Sequence, residues 1–199
     1  MEVAVAHHLG FAGGCVLSQP GAGSLQISPA GKGSCCREAL EEAAGTWLAE
    51  HAPAGAPGVV CHGDLHPFNL LIDTDGDVTV LDWSGGLLAP PAYDLAFTGL
   101  VLSEPPVGVP RMLRPLVRAG GRALARRFRR TYVRETRAPI DSLSLAWHEG
   151  LICLRVLAEV AGWVAAGQVE ERHGHPWIVA GPAFAARLSR LTGVSVTAR

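Results

Sequence analysis

A chain of 199 residues, 48% hydrophobic and 18% charged with a formal net charge of −1, holds enough apolar material for one substantial core. So even a balance gives no ground for nucleic-acid binding or for adhesion to a membrane, and Met1 to Gly14 lack the basic stretch and apolar run of a secretory signal. The five cysteines, at 15, 35, 36, 61 and 153, are odd in number and lack paired metal-ligand spacing, which fits a reducing, cytoplasmic setting.

Residues 1–33 are rich in Gly, Ala and Ser with little periodicity and read as an irregular extension. The sole lysine, Lys32, stands in Ala30-Gly31-Lys32-Gly33-Ser34, but a phosphate loop would need a glycine where Gln26 stands. Ser34 is placed to cap a helix over Arg37 to His51, where Leu40, Ala44, Trp47 and Leu48 share one face. Gly58-Val59-Val60-Cys61 reads as a buried strand delivering His62 to a loop. Leu70-Leu71-Ile72 and Val78-Thr79-Val80-Leu81 are two more apolar runs. The Asp73-Thr74-Asp75-Gly76-Asp77 between them carries the Asp-Gly signal of a hairpin. Those three aspartates lack the downstream glutamate of a calcium loop and are expected to form a solvated turn. Asp94 to Leu102 reads as a buried helix ended by Pro105-Pro106. Helices follow at roughly 109–135, 141–166 and 177–192, the first interrupted at Gly120-Gly121 and the last with Pro176 in its first turn.

The chemistry concentrates in Cys61-His62-Gly63-Asp64-Leu65-His66-Pro67-Phe68-Asn69 and Val80-Leu81-Asp82-Trp83. A hairpin that folds back makes Asn69 at its start a neighbour of Asp82 at its end. Their amide oxygen and carboxylate are hard donors of the kind that magnesium takes beside nucleotide phosphates. Asp64, on the preceding loop, is placed to take or orient a hydroxyl proton from an acceptor. Phosphoryl transfer leaves a protein little covalent work, so one base and two metal ligands form a sufficient set. His62-x-Asp64-x-His66 also has the look of a metal-hydrolase cluster, yet that alternative leaves Asn69 and Asp82-Trp83 without a role.

His62-Gly63-Asp64-x-x-x-x-Asn69 with Leu81-Asp82-Trp83 resembles the signature of the aminoglycoside phosphotransferase family, which shares the protein-kinase fold. The resemblance runs in pattern from about Arg37 to about Gly193 and is most specific at 59–96. It implies an α+β fold for residues 34–199: a kinase-like C-terminal lobe, mostly helical, with a small β-hairpin carrying the catalytic loop. By it Asp64 matches the catalytic aspartate, Asn69 and Asp82 the metal ligands, and Asp94, in Pro91-Ala92-Tyr93-Asp94, an aspartate that braces the loop. His62 matches a loop histidine of structural role, and His66 is read as loop-shaping too. Implied cofactors are ATP or GTP with magnesium, and the implied partner is a small molecule offering a hydroxyl.

Two departures qualify that expectation. Family members carry an N-terminal lobe of about a hundred residues, whereas 36 residues precede the first helix here. The lobe is expected to be largely missing, supplied by a partner chain or absent from a non-catalytic relic or binding module. Residues 103–199 also hold seven acids against fifteen arginines, ten of them between Arg111 and Arg137. A pocket for polycationic aminoglycosides should be acidic, so this stretch reads as a solvated basic face or a meeting point for an anionic partner.

Overall fold

A computed structural model of the chain describes residues 24–27, 35–55, 58–105, 109–110, 112–193 and 195–198. The expectations placed on Cys15, Lys32, Ser34 and Pro106 lie outside these residues, as do the side chains of Cys35, Cys36 and Leu40. The chain divides into two compact units, residues 46–153 and residues 1–45 with 154–199.

Within 46–153, two strand pairs position the loops. Strands β2 (Val59–Cys61) and β5 (Leu87–Ala89) pair antiparallel, with Cys61 opposite Leu87. Strands β3 (Leu70–Ile72) and β4 (Val78–Val80) form the expected hairpin, with Leu70 opposite Val80 and Ile72 opposite Val78. Its turn closes as an exposed loop in which the Asp73 carboxylate accepts the backbone N–H groups of Asp75 at 3.0 Å and Asp77 at 2.9 Å, and Gly76 takes φ +89°. The strand read as buried at 58–61 is so only at its end. Val59 is 41% and Val60 70% exposed while Cys61 is buried against Ala89 and Tyr93; among the described residues the ribbon has two strands and no third.

Helix α2 (Ala92–Ser103) is the buried centre of this unit, with Leu95, Ala96, Phe97, Thr98, Gly99 and Leu100 all shielded from solvent. An apolar sequence on every side of the helix, Ala-Tyr-Asp-Leu-Ala-Phe-Thr-Gly-Leu, predicts that placement. Helix α3 (Arg114–Thr136) packs on α2 and runs unbroken through Gly120-Gly121, where an interruption was expected. A Cβ on Gly121 would collide with the carbonyl oxygen of Leu102, whereas one on Gly120 would meet nothing within 4 Å. Gly121 therefore serves helix contact rather than helix breaking. Glu104, just past α2, accepts from Arg118 at 2.6 Å and lies 3.6 Å from Arg122, pinning the start of α3 to the end of α2.

Helix α1 (Cys35–Glu50) buries Ala44 and Leu48, two of the residues expected on its inner face. Helix α4 (Ser142–Ala165) is capped by Asp141, whose carboxylate accepts from Ser144 N at 2.7 Å. Trp147 Nε1 donates to Leu48 O at 2.7 Å, and His148 packs edge-on against Tyr93 and Trp147. The unit of residues 1–45 and 154–199 centres on Val156, Leu157, Ala161, Phe184, Ala185 and Leu188. Helix α5 (Pro176–Thr192) starts with Pro176 as expected, and His175 caps it by accepting from Trp177 N. Strand β1 (Ser24–Ile27), inside the segment read as irregular, pairs in parallel with β6 (Ser195–Ala198).

Candidate active site

Strand β2 ends at Cys61, and the chain turns sharply through His62-Gly63-Asp64. Gly63 sits at φ +82°, and a Cβ there would collide with the carbonyl oxygen of Gly85, so no other residue fits this turn. Asp94, in the first turn of α2, holds the turn from below. Its Oδ2 accepts from His62 N at 2.6 Å and its Oδ1 from Gly63 N at 2.8 Å. Such charge-assisted pairs are among the stronger hydrogen bonds in proteins. Thr98, one turn further along α2, donates to Leu65 O at 2.7 Å and fixes the far side of the same loop.

The buried imidazole of His62 joins two segments. Its Nδ1 accepts from Asp64 N at 3.3 Å, which leaves the proton on Nε2, and Nε2 donates to Leu81 O at 2.7 Å. The ring also lies 4.8 Å, centroid to centroid, from Trp83. One side chain thus sets the loop bearing Asp64 against the strand end that precedes Asp82. With both nitrogens engaged in protein contacts, His62 has no lone pair left for a metal. No group of three or more His, Cys, Asp or Glu residues that could hold a metal ion occurs among the described residues, and the hydrolase cluster lacks its ligands.

Asp64 itself is half-buried in the loop, where His66 Nε2 lies 3.5 Å from its Oδ2. Asn69 ends a single 3-10 turn (Pro67–Asn69) and donates from Nδ2 to Asp64 O at 2.9 Å. Its Oδ1 therefore points away from that contact. Leu81 N donates to Asn69 O at 2.8 Å, extending the hairpin ladder by one rung, so Asn69 and Leu81 face each other and Asp82 follows directly.

Asp82 adopts a left-handed conformation, φ 56° and ψ 68°, a strained region for a residue with a side chain and one that clusters at functional positions. Its Oδ1 accepts from Ser84 Oγ at 2.5 Å and Ser84 N at 3.3 Å. Those two bonds hold the carboxyl below the ordinary aspartate range, the hydroxyl contributing most, with the nearby His62 and His66 adding smaller effects. Asp82 is fully exposed, so the ion is hydrated as well as hydrogen-bonded. On the opposite side of the loop, burial pushes the Cys61 thiol up, helped by the Asp94 charge; its Sγ donates weakly toward Ala89 O and Pro90 O.

Sequence reasoning missed Ser84, Thr98 and strand β5. The short apolar run Leu87-Leu88-Ala89 before Pro90-Pro91 is the signal that would have found β5. Ser84, two residues after Asp82, is legible as the partner of an aspartate-led turn, whereas Thr98 carries no local signal, since its bond to Leu65 exists only once α2 meets the loop.

The sequence is matched over residues 25–135 by the family described as APH, phosphotransferase enzyme family. It is also 32% identical over 101 residues to an uncharacterized protein, YcbJ, of Bacillus subtilis (strain 168), an alignment covering 50% of this chain and 32% of that protein. The chain thus spans about a third of the length of that curated relative. No solved structure matches it.

Proposed function

The chain belongs to the phosphotransferase enzyme family, and from that premise we propose that it moves a phosphoryl group from ATP or GTP to a hydroxyl of a small molecule, with magnesium. The observation that carries this reading is the imidazole of His62, which ties the Asp64 backbone at 3.3 Å to the carbonyl of Leu81, the residue before Asp82, at 2.7 Å. In the proposed mechanism the acceptor hydroxyl oxygen bonds to the terminal phosphorus as its bond to the bridging oxygen breaks, and Asp64 takes the hydroxyl proton late in the transfer. Asn69 Oδ1 and the second Asp82 oxygen have no partner among the described residues. As hard oxygen donors they fit magnesium, which would neutralise charge on the nucleotide phosphates. Asp94 and Thr98 act on the reaction only by fixing the loop.

Contacts for the base and outer phosphates are proposed to come from outside the described residues, a partner chain supplying an N-terminal lobe being one source. A binding module or relic that keeps the loop without turnover is the second reading. A reducing, cytoplasmic setting is proposed from the odd number of cysteines and the buried, unbridged thiol of Cys61. No helix among the described residues is long and apolar enough to cross a membrane. The arginines of α3 speak against a polycationic acceptor, so the substrate is not inferred from the name of the family.

Titrating ATP or GTP with and without magnesium into three proteins tests the proposal. Asp82→Ala is expected to lose magnesium-dependent binding, and Asp64→Asn to bind like wild type while failing to transfer. Equal affinity in wild type and Asp82→Ala would overturn the assignment of the metal ligand. Binding without turnover in wild type would favour the module.

A further inference from the structure

We propose that the outer face of α3 is a self-association surface that receives the tip of the β3–β4 hairpin from a second copy of this chain. Both surfaces lie within residues 46–153, and neither is used by the phosphotransferase reading.

The side of α3 that packs on α2 is accounted for. The opposite side begins with Met112, 84% exposed in the turn before the helix, and Leu116, 72% exposed. Ala119 and Ala123 continue the stripe, also exposed, and the 3-4 spacing from Leu116 keeps these three residues on one face of the helix. Beyond Ala123 the same face becomes cationic with Arg126, Arg127 and Arg130. Arg118 and Arg122 are paired with Glu104, Arg129 with Glu149 and Arg134 with Glu135. Arg126, Arg127 and Arg130 are exposed and form no ion pair among the described residues. Arg126, Arg130 and Arg134 stand four apart, where like charges repel along a helix. The face is therefore apolar at one end and uncompensated positive at the other.

The hairpin presents the complement. Leu71, Ile72 and Val78 are 56%, 65% and 57% exposed, on a ribbon with two open edges. At its tip the Asp73 carboxylate is occupied by the turn, whereas those of Asp75 and Asp77 have no partner among the described residues. An apolar ribbon ending in free carboxylates thus matches an apolar stripe ending in free guanidiniums. A bare phosphate backbone would satisfy the arginines and leave Met112, Leu116, Ile72 and Val78 in water. A second copy covers both. Because every copy carries both surfaces, a two-fold pair makes the contact twice and closes without further growth.

Sedimentation velocity of the purified chain at low and high sodium chloride reads the outcome. A dimer is expected at about 50 mM salt that dissociates at about 500 mM, since exposed charges are screened over that range. Two charge reversals, Arg126→Glu with Arg130→Glu and Asp75→Arg with Asp77→Arg, should each give a monomer, with association weakened at least about 100-fold. Mixed in equal amounts, the two variants should form a heterodimer, because opposite charges then face each other at both contacts. Recovery on mixing also shows that both variants are folded. A monomer under all conditions, a dimer indifferent to either reversal, or a mixture that stays monomeric overturns the proposal.

Discussion

Two neighbouring glycines of α3 should respond oppositely to the same substitution. Gly120 faces open space, with nothing within 4 Å of where a Cβ would stand. Gly120→Ala thus removes only the entropic penalty of glycine in a helix, a gain of about 0.5–1 kcal/mol. At Gly121 the added Cβ would lie inside the van der Waals shell of the Leu102 carbonyl oxygen and 3.1 Å from its carbon. That obstacle is backbone and cannot swing aside as a side chain would. Helices α2 and α3 must then part by about 1 Å, with a cost of the kind measured for overpacked cores, about 1–3 kcal/mol or more. Because the obstacle is backbone, the upper end of that range applies, and crediting the same helix-propensity gain leaves Gly121→Ala destabilised by about 2 kcal/mol. Thermal melts followed by circular dichroism should place Gly120→Ala about 2 °C above wild type and Gly121→Ala about 4–8 °C below it. A Gly121→Ala protein that melts with wild type would refute the close approach of α2 and α3.

Three further outcomes follow from the site. Asp94→Ala leaves the His62 and Gly63 N–H groups without their carboxylate, and at about 1.5–3 kcal/mol for each charge-assisted bond it should destabilise by at least about 3 kcal/mol in urea unfolding; a loss below about 1 kcal/mol would show that the brace is not needed. Ser84→Ala removes the hydroxyl that contributes most to lowering the Asp82 pKa. Carboxyl chemical shifts should then show Asp82 titrating at higher pH, and magnesium-dependent nucleotide binding should be lost at a correspondingly higher pH on acidification. Burial holds His148 below the ordinary imidazole range, a hydrogen bond to Ser144 O opposing it in part. The unfolded chain therefore binds that proton first. Stability from this group is complete above about pH 6.5 and declines as pH falls toward the folded pKa. His148→Phe should flatten the fall in unfolding free energy below about pH 6.5, and an unchanged slope would remove His148 as its source.

What the sequence determined by itself was whatever depends on neighbours along the chain. Apolar patterning located all five helices of the described residues within a few positions, and Asp-Gly flanked by apolar runs located the hairpin. The spacing of Asp64, Asn69 and Asp82 brought the candidate site and the family resemblance with it. Periodicity says which face of an element is apolar but not whether anything covers it, so Val59 and Val60 were read as buried when only Cys61 is. A glycine pair looks the same whether it breaks a helix or admits another one, and only the Leu102 carbonyl beside Gly121 distinguishes the two. The grip of His62 on Leu81, of Asp94 on the His62-Gly63 backbone and of Thr98 on Leu65 spans 19 to 33 residues of chain. Contacts of that separation leave no local pattern to read, because each exists only after β2, the hairpin and α2 have packed, and it is they that hold the loop in one shape.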